Sequence, residues 1–176
     1  MRIARIASSV CSILLCSALA AAPAQDLYRT DGRWLDDGAR PYRLESLHGS
    51  YTVLTMAYGA CRRVCSTSLR VLQQVQVLAD EHHLMLNFVV VGLDPDQDKP
   101  ADWAELRRDR QLTRTNWRFL SGDEASTGRL AQRLGVHYWR YGEHTMHDFK
   151  IVLLSPEGQL VRSIDAFDQS PTLLLP

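Results

Sequence analysis

The sequence lacks most of the features that would place a protein at a glance. It has no charge excess, since 20 Lys and Arg residues balance 20 Asp and Glu residues. Nothing points to a basic face for phosphate backbones, so no nucleic-acid partner is expected. The body of the chain lacks any apolar run of the ~20 residues that a membrane-spanning helix needs. There is no internal repeat, no low-complexity tract and no interdomain linker. The 176 residues therefore read as one domain, with or without a targeting segment. Cysteine is scarce too, with four in all: Cys11, Cys16, Cys61 and Cys65.

The N-terminus is where the first positive signal stands. Arg2 and Arg5 supply a short basic region, residues 6–22 are apolar or small without charge, and Ala22-Pro23-Ala24 offers small residues to a signal peptidase. This pattern predicts a secretory signal peptide over residues 1–24, cleaved after Ala24. An uncleaved segment would instead anchor the protein in the membrane. Lipidation is not expected, because Val10 and Leu15 precede the two early cysteines where a small residue is wanted. Removal of residues 1–24 takes away Arg2 and Arg5, so 18 of the 20 basic residues face 20 acidic ones. It also leaves only Cys61 and Cys65. In an exported protein, two cysteines four apart can close a disulfide or share a soft metal.

The rest of the chain, residues 25–176, alternates between two periods. Residues 28–47 are polar and turn-rich, with a turn expected at Asp36-Asp37-Gly38. Residues 51–58 (YTVLTMAY) read as a strand. After Cys65 the period changes, and Leu69, Leu72, Val75, Leu78 and Ala79 fall on one helical face. Residues 84–91 (LMLNFVVV) are almost continuously apolar, as in a strand buried on both faces. Pro100 suits the first turn of a helix running to about Arg110. Residues 116–120 form a short strand. Ser121 and Glu124 are spaced as a capping box for a helix ending at Leu134, with Gly135 as its stop. A short extended piece over 136–140 and a loop lead to a strand at 149–154. A turn at 155–158 then returns the chain as a strand at 160–164. Strands alternating with helices predict an α/β fold, a mixed sheet covered on both faces. A cysteine pair between the first core strand and the first core helix is the thioredoxin-like arrangement.

Cys61 and Cys65 form a CxxxC pair. With a helix beginning near Cys61, residues four apart share a face, and both sulfurs can address one ion. A helix N-terminus lowers thiol pKa and populates the thiolate. A structural disulfide is the plainer reading of the same pair. A third donor would make a soft, low-coordinate metal site. Two histidines, His144 and His147, lie in the loop ahead of the strand that should abut the cysteine segment. His48, His82, His83 and His137 read as ordinary surface or core residues.

Several segments together resemble the Sco/SenC family of copper chaperones over nearly the whole mature length. They are VLTMAYGACRRVC (53–65), VVVGLDPDQDKP (89–100), RLGVHYW (133–139) and MHDFKIVLLSPEG (146–158). The family pattern places its histidine nine residues before the Pro of a P-x-G turn. His147 is nine before Pro156 and His144 is twelve before it, so the resemblance selects His147. It implies a thioredoxin-like fold in which Cys61, Cys65 and His147 hold one copper, as Cu(I) or Cu(II). Asp94 and Asp98 match the DPxxD pair that lies near the metal loop; such residues also serve turns and helix starts on their own account. Four departures stand out. Arg62 and Ser66 follow the cysteines where the family often has Pro, Asp148 replaces Ser or Thr after the histidine, and Met146 precedes it. The fourth is that residues 170–176 are too short for the family's C-terminal helix, so one sheet face is expected to be less covered.

The resemblance thus implies a periplasmic metallochaperone. Its expected partners are a cuproprotein recipient, such as a cytochrome c oxidase subunit receiving a copper centre, and another copper chaperone. The other class of reading is a thiol–disulfide oxidoreductase with Cys61 and Cys65 as a redox-active disulfide. That reading does not need His147, and it expects CxxC rather than CxxxC.

Overall fold

The central strands carry apolar residues at almost every position because both of their sides are covered. The structure is a computed structural model. It describes residues 25–59 and 64–176, with only the backbone of residues 64–66. The expected signal peptide, Cys61, Arg62 and Arg63 lie outside the described residues. Strand β3 (Tyr51–Ala57) runs parallel to β4 (Leu86–Gly92), pairing from Tyr51 with Leu86 to Ala57 with Gly92. In β3, Val53 and Ala57 enter one buried cluster while Leu54 and Met56 enter the other. In β4, Phe88 and Val90 face the first cluster and Val89 and Val91 the second. Two-sided burial erases the alternation that a half-exposed strand would show.

Five more strands complete a mixed sheet of seven: β1 (Trp34–Asp36), β2 (Pro41–Tyr42), β5 (Trp117–Gly122), β8 (Ile151–Leu154) and β9 (Leu160–Ile164). The order is β2-β1-β5-β4-β3-β8-β9. Strands β3, β4 and β5 are parallel, and the outer strands add antiparallel. Helices α1 (Val64–Glu81) and α2 (Pro100–Asp109) cover one face through Leu69, Val71, Leu72, Val75, Ala79 and Trp103. Leu78, expected on the buried face of α1, is only half-buried, and Val71 is buried beside Leu72. Helix α3 (Glu124–Leu134) and the 3-10 turns Leu27–Arg29 and Leu44–Leu47 cover the other face. Among the described residues, no helix is long and apolar enough to cross a membrane.

Three local expectations need correcting. The N-cap of α3 is Asp123, whose carboxylate accepts the Ser126 N–H at 2.8 Å. Ser121 remains in β5, where its hydroxyl donates to the Asp98 carbonyl at 2.6 Å, so no Ser121–Glu124 box forms. The segment expected as an extended piece and a loop is a separate hairpin, β6 (Tyr138–Tyr141) and β7 (His144–His147), which turns at Gly142 with φ 62. Finally, both sheet faces carry a buried cluster. The C-terminal residues Pro171–Leu174 form a 3-10 turn against α1 and β9 that buries Leu174. One apolar residue at the end of a short turn thus helps cover the face that was expected to be less covered.

Candidate metal centre

Parallel strands deliver their loops to one edge, and ligand sites gather beyond the carboxyl ends of such strands. Here the ends of β3 and β4 are adjacent, as Ala57 pairs with Gly92 and the Leu93 N–H donates to the Ala57 carbonyl at 2.9 Å. Tyr58 and Gly59 then lead toward Cys61, and the backbone of Cys65 lies in the first turn of α1. Asp94 and Asp98 follow β4, and both are buried. One oxygen of Asp98 accepts the Gly59 N–H at 2.7 Å, and the other accepts the Asp94 N–H at 2.7 Å. Asp94 continues the chain of contacts. Its Oδ1 accepts the Asp96 N–H at 3.0 Å, and its Oδ2 accepts the Thr145 hydroxyl at 2.9 Å. Arg140 adds charge to the same carboxylate at 3.6 Å. The two aspartates thus form a strut from the segment before Cys61 to the strand that ends at His147. Both oxygens of each carboxylate already accept hydrogen bonds, so these residues tie the segment before Cys61 to the strand of His147 rather than offering themselves to an ion.

Burial sets the charge on this strut. Removal from water, aided by the nearby Asp94, raises Asp98 to about 7 against the pull of its N–H donors. Glycine permits the close approach. A Cβ on Gly92 would lie 2.5 Å from the Asp98 Cβ, and one on Gly59 would lie 3.0 Å from Asp98 Oδ1.

His147 is built as a donor of one lone pair. Its Nδ1 is 2.8 Å from the Asp148 carbonyl oxygen, which can only accept, so Nδ1 carries the hydrogen. The Nε2 lone pair is left buried, with no hydrogen-bond partner among the described residues. Burial also lowers the imidazole pKa, which keeps the ring neutral. A buried acceptor without a partner costs about 1–3 kcal/mol, and a metal bond would offset that cost. Asp148 clasps the base of the hairpin from the other side. Its Oδ2 accepts the His137 N–H at 3.0 Å and lies 2.7 Å from His137 Nδ1. The His137 backbone and ring hold Asp148 below the usual carboxylate range.

The other histidines have different settings. His144 is exposed at the far end of β7, paired with Tyr141. His48 is held by the Asp26 carboxylate and the Glu45 carbonyl. His83 turns the chain after α1 with φ 55. Met146, adjacent to His147 in sequence, is exposed and points away from it. Sequence reasoning missed three parts of the support: Thr145, the His137–Asp148 clasp and the clearance at Gly92. Only the glycine, standing just before the Leu-Asp-Pro turn, left a trace in the pattern. Two thiols and one imidazole would together suit a soft metal ion; of these the structure describes the imidazole, half-buried, neutral and, among the described residues, unpartnered at Nε2.

These features define a thioredoxin-like domain with a cysteine pair after the first core strand and a histidine brought in on a hairpin. Residues 24–174 match the SCO1/SenC family, and the chain belongs to it. It is 25% identical over 132 residues to a protein of Stutzerimonas stutzeri proposed to bind copper, covering 72% of this chain and 63% of that one. It is 21% identical to a SCO1 homologue of Bacillus subtilis, covering 73% of this chain and 68% of that one. The chain thus spans just under or just over two thirds of these relatives. The fold is similar to that of a SCO1/SenC family lipoprotein from Bacillus anthracis, with TM-score 0.74, 18% identity, and 86% and 92% of the two chains covered. It is also similar to yeast Sco1 with copper bound, with TM-score 0.68, 18% identity and 81% of each chain covered.

Proposed function

We propose that this protein is an exported copper metallochaperone. It holds one copper through the Cys61 and Cys65 thiolates and His147 Nε2, and passes it by ligand exchange to a cuproprotein such as a cytochrome c oxidase subunit. The observation that carries the reading is the buried and neutral Nε2 of His147, which has no hydrogen-bond partner among the described residues. Copper-bound relatives within the family support the choice of metal. Two thiolates, one neutral imidazole and Cu(I) sum to one negative charge, which Arg62 and Arg63 would offset. The neutral imidazole is the first ligand to leave when an incoming thiol attacks. A copper chaperone on the donor side and a periplasmic location belong to the same reading.

The test is a competition titration with a Cu(I) chelator on wild type, His147→Ala and His144→Ala. Wild type should retain one equivalent. His147→Ala should lose affinity by at least about 10–100-fold, the range seen even when only a ligand's supporting contacts are removed. His144→Ala should keep the wild-type affinity at this site. Loss of copper from His144→Ala alone would overturn the choice of histidine. For export, N-terminal sequencing of protein from the cell envelope should begin at Gln25. Most molecules beginning at Met1 would mean an anchored protein instead.

The thiol–disulfide reading draws on one observation, the place of Cys65 in the first turn of α1, where a helix dipole favours thiolate. It predicts fast disulfide reduction by all three proteins, with no copper retained by any of them.

A further inference from the structure

The hairpin that carries His147 has a second face. Antiparallel register places Trp139 opposite Met146 and Tyr141 opposite His144, so these four side chains share one side. Tyr138, Arg140, Thr145 and His147 share the other, where Thr145 and Arg140 meet Asp94. The outer four project into solvent. Trp139 is 52% exposed, Tyr141 74% and Met146 44%, and His144 is exposed as well. Among the described residues, none hydrogen-bonds the His144 ring.

We propose that this outer face, with His144 and Met146 as ligands and Trp139 across from Met146, is a second and weaker Cu(I) site. The choice of ion rests on the copper-carrier reading above. Met146 and His144 are two apart on one strand face, roughly 6.6 Å along the chain. Their flexible side chains can therefore reach a common ion as a two-coordinate thioether–imidazole pair. Residues directly opposite have Cβ atoms about 4.5–5.5 Å apart, which brings the Trp139 indole within reach of an ion held by Met146. An indole face attracts a cation, and thioether with imidazole selects a soft one. None of the four side chains on this face is a carboxylate, so they favour a soft cation over a hard divalent one. Both ligands are neutral, so binding is weaker than at a pair of thiolates. Met146 and His147 are consecutive residues on opposite sides of β7, and no described strand pairs with the free edge of β7. An ion held outside is therefore one residue from the inner lone pair.

The test uses the mature chain with methyl-labelled methionine, in a Cys61→Ser/Cys65→Ser background that removes the thiols. It is titrated anaerobically with Cu(I) in acetonitrile and, separately, with Ag(I) as a redox-inert stand-in. The expected result is a saturable shift of the Met146 methyl together with quenching of Trp139 fluorescence. Met85 is 89% exposed and should not move, which makes it the internal control. Met146→Leu and His144→Ala should each weaken the response at least about tenfold, the scale of losing a metal contact. Equal responses at Met85 and Met146, or none at Met146, would overturn the proposal. The two readings fail separately. Wild type that keeps its copper through His147 while Met146 stays silent removes only the outer site. Saturation at Met146 with no chelator-resistant copper in wild type supports the outer site and removes only the inner one.

Discussion

The aspartate facing the cysteine segment is the residue whose charge matters most. Two N–H donors aim at Asp98, and alone they would favour its carboxylate; burial opposes them and wins, raising it from 3.8 to about 7. A carboxyl whose folded value lies above its unfolded value stabilises the fold fully below about pH 4 and loses that contribution as pH rises through 7. The slope is about 1.4 kcal/mol per pH unit in that window. His147 acts in the opposite sense. Its lowered folded value makes acid destabilising, so stability falls as pH drops below 6.5. The two effects overlap in the mildly acidic range, and a variant is needed to separate them. Asp98→Asn keeps one acceptor oxygen and should cost about 1–3 kcal/mol, because one of the two N–H groups loses its partner. Urea unfolding of both proteins from pH 5 to 8 should show the wild-type advantage shrinking as pH rises toward 7. A constant difference across that range would mean that Asp98 is ionised throughout.

At the scale of elements, the β6–β7 hairpin is set by one buried hydroxyl and one missing methyl. Thr145 donates to Asp94, and it is the inward contact nearest His147 on the same strand. Thr145→Val keeps the shape and removes the donor. Loss of a hydrogen bond to a carboxylate should cost about 1.5–3 kcal/mol in unfolding free energy and loosen the seat of His147, with copper affinity falling severalfold in the chelator competition. An unchanged affinity would mean that the clasp between His137 and Asp148 is enough to seat the histidine. Gly92→Ala attacks the strut from beneath. Its Cβ would meet the Asp98 Cβ, which is held close to the backbone and cannot swing aside, so a loss of about 1–3 kcal/mol is expected by thermal or urea unfolding. The core strands, α1 and α3 were legible because periodicity reports burial, and burial is what fixes those elements. The hairpin was not, because Tyr138–His147 is a small two-stranded unit whose inner side is mostly polar: Tyr138 alone of its four inner residues packs on the core, while Thr145 and Arg140 answer to Asp94. His147 itself was singled out by its register with Pro156, a family pattern; the feature that would suit it to a metal, an Nε2 without a partner among the described residues, exists only in three dimensions.

For the whole molecule, the decisive feature is how the first described residues close the second core. Leu27 and Tyr28 are buried with Leu54, Val89 and Val152 beneath the sheet. The Leu27 N–H donates to the Gly158 carbonyl at 2.8 Å, which ties the N-terminus to the turn between β8 and β9. Arg133 on α3 reaches the Asp26 carbonyl at 2.6 Å and the Thr30 hydroxyl at 2.7 Å, and Arg129 reaches the Asp31 carbonyl at 2.9 Å. This segment therefore holds α3 to the sheet. The expected cleavage after Ala24 leaves all of it in place, because the first of these contacts is made by Asp26. Two chains separate that boundary from a later one. The chain of residues 25–176 should unfold in one cooperative transition and, on the copper-carrier reading, hold as much copper as the full chain. The chain of residues 32–176 loses the burial of Leu27 and Tyr28, about 1.5–3 kcal/mol each, and leaves the guanidinium of Arg133 without its partners. Against a typical total of about 5–15 kcal/mol, that loss should bring a much lower urea midpoint and a smaller slope with denaturant, because less surface is buried on folding. Equal midpoints for the two chains would show that α3 and the sheet close the second core without residues 25–31.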